Sequence, residues 1–262
     1  MVWLNPWELA CLAAAKGLPS RLFRDRYCEF GGIRLRFDGQ PGWKGLAACS
    51  QYSPGCGCSV HAGRPLVCRL YPLGRQRQGE EQHYIHRGNS FPCLEGCPEV
   101  VDLPHLTVAD YLIDQDAKAS ETAQDEYLEL MQRLADGAFA LLLESGLAAS
   151  GDRQTICLWR ELGKKQPEHL AKRLRPEWID WLMLPDISDG LDDPVAFSRR
   201  HYDIIQSQAQ ASFGKLSDVT ELSEASGLMM GLALHLGRGL GANPAELSEH
   251  WIGTAKKLGA QE

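Results

Sequence analysis

Six of the nine cysteines in this 262-residue chain fall between Cys49 and Cys97, with the spacing C-x6-C-x-C-x9-C-x24-C-x3-C. Thiolates are soft ligands, and short spacings let one turn of chain deliver two of them to the same ion. Gly55, Gly57, Gly63 and Gly96 are interleaved with them, leaving room for sulfurs to converge. Such a set selects zinc, iron-sulfur clusters or Cu(I) over magnesium or calcium. Cys97-Pro98 has the Cys-Pro ending of some cluster-binding loops, and no complete C-x2-C…C-x2-C zinc ribbon is present; together these favour iron-sulfur over zinc. Cys11 and Cys157 lie on helical apolar faces and read as small buried hydrophobes. His61, His83 and His86 lie close to the cluster in sequence and could join thiolates on a metal, although His83 and His86, flanking Tyr84-Ile85, would leave opposite faces of a strand.

The bulk properties narrow the partners. A net charge of −7 argues against a general nucleic-acid binder, which needs basic excess to neutralise phosphates. The opening "MVWLNPWELACLAAAKG" is broken by Asn5, Pro6 and Glu8 where a signal peptide needs an unbroken apolar stretch. No long apolar run suggests a membrane span. The expected location is the cytoplasm, where thiols stay reduced and clustered cysteines favour metal over disulfide. No phosphate-binding glycine loop, nucleophile elbow or H-E-x-x-H motif is present.

The elements that must position the cysteines are short. "NPWELACLAAAKG" has Asn5 as N-cap, Pro6 in the first helical position and Gly17 as the stop. "LPSRLFRDRYC" reads as a second short helix. In "GGIRLRFDG", Ile33, Leu35 and Phe37 alternate with Arg34, Arg36 and Asp38, the pattern of a half-buried strand, with "QHYIHR" as its candidate partner. From "LTVADYL" onward the pattern turns helical, ending with Asn243, Pro244 and Gly259 around a last helix. The chain therefore reads as mainly α: a small Cys/Gly-rich α+β metal-binding module with a short hairpin over residues 1–106, followed by an α-helical bundle-like domain over 107–262.

The stretch "CSVHAGRPLVCRLYPLG", Cys58 to Gly74, resembles the YkgJ-type cysteine-cluster family, described as zinc- or iron-chelating proteins. Members carry a cysteine, an aliphatic-Tyr pair, Arg-Pro, Cys-Arg and an aromatic-Pro. Here these are Cys58, Val60-His61, Arg64-Pro65, Cys68-Arg69 and Tyr71-Pro72. Cys49 meets an upstream cysteine of the family pattern and Cys97-Pro98 a downstream one, so the likeness covers about residues 3–112. The resemblance implies Cys49, Cys58, Cys68 and Cys97 as ligands, with Cys93 and Cys56 as reserves. Arg64 and Arg69 could donate to sulfur or make surface salt bridges. The chain departs from the family in lacking the usual dense cysteine quartet ahead of the first helix and in placing His61 where Tyr is usual, so Cys56, Cys93 or Cys28 would stand in for missing ligands.

These features point to a metal-binding protein holding an iron-sulfur cluster or zinc, with an accessory role and with another protein bound through the helical domain. Two alternatives remain. One is an iron-sulfur enzyme with redox or methyl-transfer chemistry, since flagellin lysine N-methylases contain a similar module. The other is a thiol redox sensor built on close cysteine pairs such as Cys56/Cys58 or Cys93/Cys97.

Overall fold

A computed structural model describes residues 1–42, 45–79, 81–86, 105–143, 152–187 and 189–261. Helix α1 (Pro6–Lys16) begins where local chemistry demands. Asn5 Oδ1 accepts the Glu8 N–H at 2.9 Å and Glu8 Oε2 accepts the Asn5 N–H at 3.0 Å, a reciprocal capping box, and Gly17 ends the helix at φ 68°. Helix α2 (Ser20–Tyr27) runs into β1 (Cys28–Glu29), which pairs antiparallel with β2 (Arg34–Leu35). Ile33 and Leu35 are buried as their alternation predicts, whereas Phe37, beyond the end of β2, is exposed.

The rest of the small α+β part consists of two hairpins and one helical turn. Strand β3 (Tyr52–Ser53) pairs with β4 (Gly57–Cys58), α3 is Leu66–Leu70, and β5 (Leu73–Gln78) pairs with β6 (Glu81–His86) from Leu73↔His86 to Gln78↔Glu81. The "QHYIHR" segment thus pairs with β5 and not with β2. A strand separated from its partner by a two-residue connection, with Gly79 at φ 62°, closes at lower entropic cost than one that must span more than forty residues. Its sequence neighbour wins.

Helices make up the remainder: α4 (Val108–Asp114), α5 (Lys118–Leu143), α6 (Asp152–Lys164), α7 (Pro167–Arg173), α8 (Pro176–Met183), α9 (Pro194–Phe213), α10 (Val219–Gly239) and α11 (Pro244–Lys257). The chain is mainly α with a small α+β part, and no described helix is long and apolar enough to cross a membrane. The long α5 and α10 pack against each other at the centre, with α9 on α5 and with α6 and α11 on α10.

Residues on both sides of the expected division after position 106 share one hydrophobic core, which holds Leu4, Leu9, Leu12 and Ile33 together with Leu134, Met230, Leu234 and Trp251. Leu4 lies so close to α10 that a Cβ on Gly239 would stand 2.6 Å from the Leu4 carbonyl oxygen, a distance no side chain tolerates. Arg21 and Arg24 of α2 both bind Asp180 of α8. The β5–β6 hairpin docks on α5 through polar groups: Arg75 grips both oxygens of Asp125 at 2.8 Å, Arg77 reaches the same carboxylate at 2.9 Å, and the Tyr84 hydroxyl donates to Glu121. Arg75 and Tyr84 are cross-strand partners, and Glu121 and Asp125 are one helical turn apart, so the two surfaces match in register.

Two histidines are buried in the helical part. His201 accepts from the Tyr127 hydroxyl at Nδ1, 3.0 Å, and donates from Nε2 to the Trp181 carbonyl, 3.0 Å. Burial pushes His201 down to about 4, and burial together with Arg238 pushes His235 down to about 3. Both folded values lie below the ordinary 6.5. The unfolded chain therefore takes up protons that the folded one refuses, so their contribution to stability is complete above pH 6.5 and is lost as pH falls toward 4 and 3. His235→Leu is expected to flatten the acid-side fall in melting temperature between pH 6.5 and 4 relative to the unmodified protein. Thermal melts across that range check it, and an undiminished slope contradicts it.

Candidate metal centre

Cys49, Cys58 and Cys68 come from three separate segments, of which backbone hydrogen bonds tie the first two together. The Cys49 segment attaches to β2 through Ser50 N–H to the Arg36 carbonyl, 2.9 Å, while Arg36 N–H bonds the Tyr27 carbonyl, 2.9 Å. Cys58 sits in β4 opposite Tyr52, and Ser59 N–H donates to the Gln51 carbonyl at 2.9 Å, so the β3–β4 pairing fixes Cys58 relative to Cys49. Cys68 lies in α3, whose first turn begins after Pro65. All three are partly buried and pack against the main core.

Two of the three thiols are held above the ordinary thiol range. Burial pushes the Cys68 thiol up to about 12, with Cys49, Glu8 and Cys58 adding to it and Arg64 opposing. Burial also raises Cys49, as does Cys58, while the Gln51 N–H, which donates to Cys49 Sγ at 3.4 Å, pulls it back. A backbone N–H aimed at sulfur stabilises thiolate character, as outer-shell donors do around metal-bound cysteines. Among the described residues, no group of three or more His, Cys, Asp or Glu is arranged to hold a metal ion. Cys93 and Cys97, a reserve and one of the four implied ligands, lie outside the described residues.

The other sequence candidates separate by position. Cys56 sits in the β3–β4 turn and is exposed. Cys28, in β1, is 4% exposed, and burial pushes its thiol to about 12 with Cys49 contributing. Cys11 packs against the core, with its thiol raised to about 12 by burial. Cys157 is exposed instead of buried: α6 turns Ile156, Trp159 and Leu162 inward, and a residue one step after Ile156 is rotated off that face. His61, His83 and His86 are exposed, with His83 3.5 Å from Glu81.

Arg69 lies 3.8 Å from the exposed Asp116 carboxylate, the salt-bridge role expected of it, and has a further use in its hydrogen bonds. Its Nε donates to the Arg64 carbonyl at 2.9 Å, Nη1 to Gln115 at 2.8 Å and Nη2 to Ala62 at 2.8 Å. Its hydrogen bonds thus brace the backbone of the Cys58–Cys68 loop from inside. Arg64 Nε bonds the His61 carbonyl in the same loop.

That loop lies on one face of α1. Glu8, Cys11 and Ala15 follow at i, i+3 and i+7, the spacing of a single helical stripe. At position 63 the loop comes so close that a Cβ would collide with the Cys11 carbonyl oxygen and stand 2.9 Å from the Ala15 Cβ. Lys16 Nζ donates to Ser59 Oγ at 2.8 Å, and Glu8 Oε1 accepts the Leu66 N–H at 2.6 Å. Glu8 is the residue that sequence reasoning missed. Its local signal, an acidic residue three places after an Asn cap, explains the bond to Asn5 and is silent about Leu66. Glu8 and Leu66 also line a cavity of ≈ 1070 Å³ shared with Leu70, Arg75, Leu128 and Leu247.

No family model, curated protein or solved structure matches the chain.

Gly63→Ala is expected to destabilise the protein by about 1–3 kcal/mol, the usual cost of overpacking a close contact, because backbone and not a flexible side chain blocks the added methyl. Denaturant melts measure it. Stability equal to the unmodified protein would show that the loop is not pressed against α1.

Proposed function

We propose that the chain binds an iron-sulfur cluster or zinc through Cys49, Cys58, Cys68 and Cys97, with Cys56 and Cys93 as reserves, and that its helical part engages another protein. What supports this reading is the clustering of the cysteines in sequence, the pairing that ties the Cys58 strand to the Cys49 segment, and the Gln51 N–H pointed at Cys49 Sγ. The donor set fits the group: soft thiolates suit zinc and iron-sulfur clusters, and the glycines around them allow close approach. When bound, the metal would supply either a structural cross-link or an electron-transfer centre. The protein's own share is to hold the sulfurs, which pack against the main core.

An iron-sulfur enzyme is the second reading, favoured by the cavity beside Glu8 and Leu66, which is large enough for a substrate. A thiol redox sensor built on Cys56/Cys58 or Cys93/Cys97 is a third reading; Cys56 is exposed and Cys58 partly buried, and Cys93 and Cys97 lie outside the described residues.

Protein purified without oxygen and analysed for metals tests the proposal. Stoichiometric iron with visible absorption that dithionite bleaches is expected for a cluster, and colourless protein with stoichiometric zinc for the alternative ion. Cys68→Ser should lose most of the metal and melt at lower temperature, while Cys157→Ser, at an exposed position outside the cluster, should retain both. Unmodified protein without metal under these conditions, or Cys68→Ser with full metal, overturns the proposal.

A further inference from the structure

The carboxyl of Glu8 is 3% exposed, a costly place for an ionisable group unless its oxygens are satisfied. Oε2 completes the capping box of α1, a task an exposed side chain performs equally well. Oε1 does something different. It accepts the N–H of Leu66, a residue 58 positions away in sequence, at 2.6 Å. Leu66 is the first residue of α3 and lies two positions before Cys68.

Helix α3 has little of its own to fix it. It is five residues long, far below the length at which a helix holds itself together, and its N-cap is Pro65, whose side chain makes no capping bond. Glu8 supplies that cap from another helix. Arg69, the cation that acts on Glu8, donates to the carbonyls of Ala62, Arg64 and Gln115.

We propose that Glu8 is a positioning residue for Cys68: by tying the first turn of α3 to α1, it holds the Cys68 sulfur beside Cys49 and Cys58. The inference rests on the metal-binding reading for its purpose, and on the Glu8–Leu66 bond for its geometry. Charge alone would act in the opposite direction. Burial pushes the Glu8 carboxyl up to about 7, and its charged form would repel thiolates, so an electrostatic role predicts tighter metal binding when Glu8 is replaced by a neutral residue, whereas positioning predicts looser binding.

Glu8→Leu removes both acceptors, and Glu8→Gln keeps the volume and one acceptor in case the first variant fails to fold. Two readouts apply to each. In the first, chelator competition on metal-loaded protein should show retention weakened roughly 10- to 100-fold in Glu8→Leu, the usual effect of losing an outer-shell partner, and less in Glu8→Gln. In the second, metal-free protein is treated with iodoacetamide and mapped by mass spectrometry. Alkylation of Cys68 should accelerate at least several-fold while that of buried Cys28 stays unchanged; general loosening would raise both. Faster Cys68 labelling in a protein that binds no metal would preserve the positioning role and remove the metal reading. Cys68 labelling unchanged in both variants, Cys68 and Cys28 accelerating together, or metal held as tightly as or more tightly than in the unmodified protein would overturn the proposal.

Discussion

The seating of the Cys58–Cys68 loop on one stripe of α1 is the constraint from which the rest of the small α+β part follows. A loop rich in glycine and proline has no ladder or helix to hold its shape, so its form is borrowed from what it touches. Gly63 permits the approach to Cys11 and Ala15, Lys16 fixes Ser59, and Glu8 fixes the start of α3. Arg69 then donates to two loop carbonyls, Ala62 and Arg64, and to the Gln115 carbonyl at the end of α4. Cys58 at one end of the loop and Cys68 at the other are placed by these bonds before any metal is considered.

The stripe can act as a template only because α1 is itself immobile. Its adjoining side enters the common core through Leu9 and Leu12, and Trp7 donates from its indole to the Leu191 carbonyl at 3.2 Å. The polar docking of β5–β6 on α5 adds a second attachment beyond α3, since Arg75 is only 8% exposed and engages Asp125 with both terminal nitrogens. A bidentate, largely buried pair of this kind contributes specificity of placement more dependably than net stability. The helical part is thus the rigid base on which the cysteine segments are mounted.

How much of this is legible in the sequence depends on how local each cause is. Helix α1 announces itself because Asn5, Pro6 and Gly17 act within a few residues of the ends they define. The mainly α class and the small α+β part follow from periodicities that are also local. Strand β5 is hidden, because Leu73–Gln78 alternates Arg with Gln instead of apolar with polar, and its reason to be a strand is a carboxylate on α5. Cys157 looks apolar-facing until neighbouring helices decide which side of α6 is inward. The same holds at the centre: Cys49, Cys58 and Cys68 are conspicuous by type and spacing, whereas Glu8 and Arg69 gain their roles only from partners brought close by folding.

The contact between Leu4 and Gly239 joins the first strand-like segment of the chain to a helix end more than 200 residues later. On a ribosome adding about 5–20 residues per second, Leu4, Leu9 and Ile33 wait on the order of ten seconds or more for the surface that covers them. During that interval α1 has its caps but not its core. The core contact that Leu4 and Ile33 make with the end of α10 is therefore completed late in synthesis.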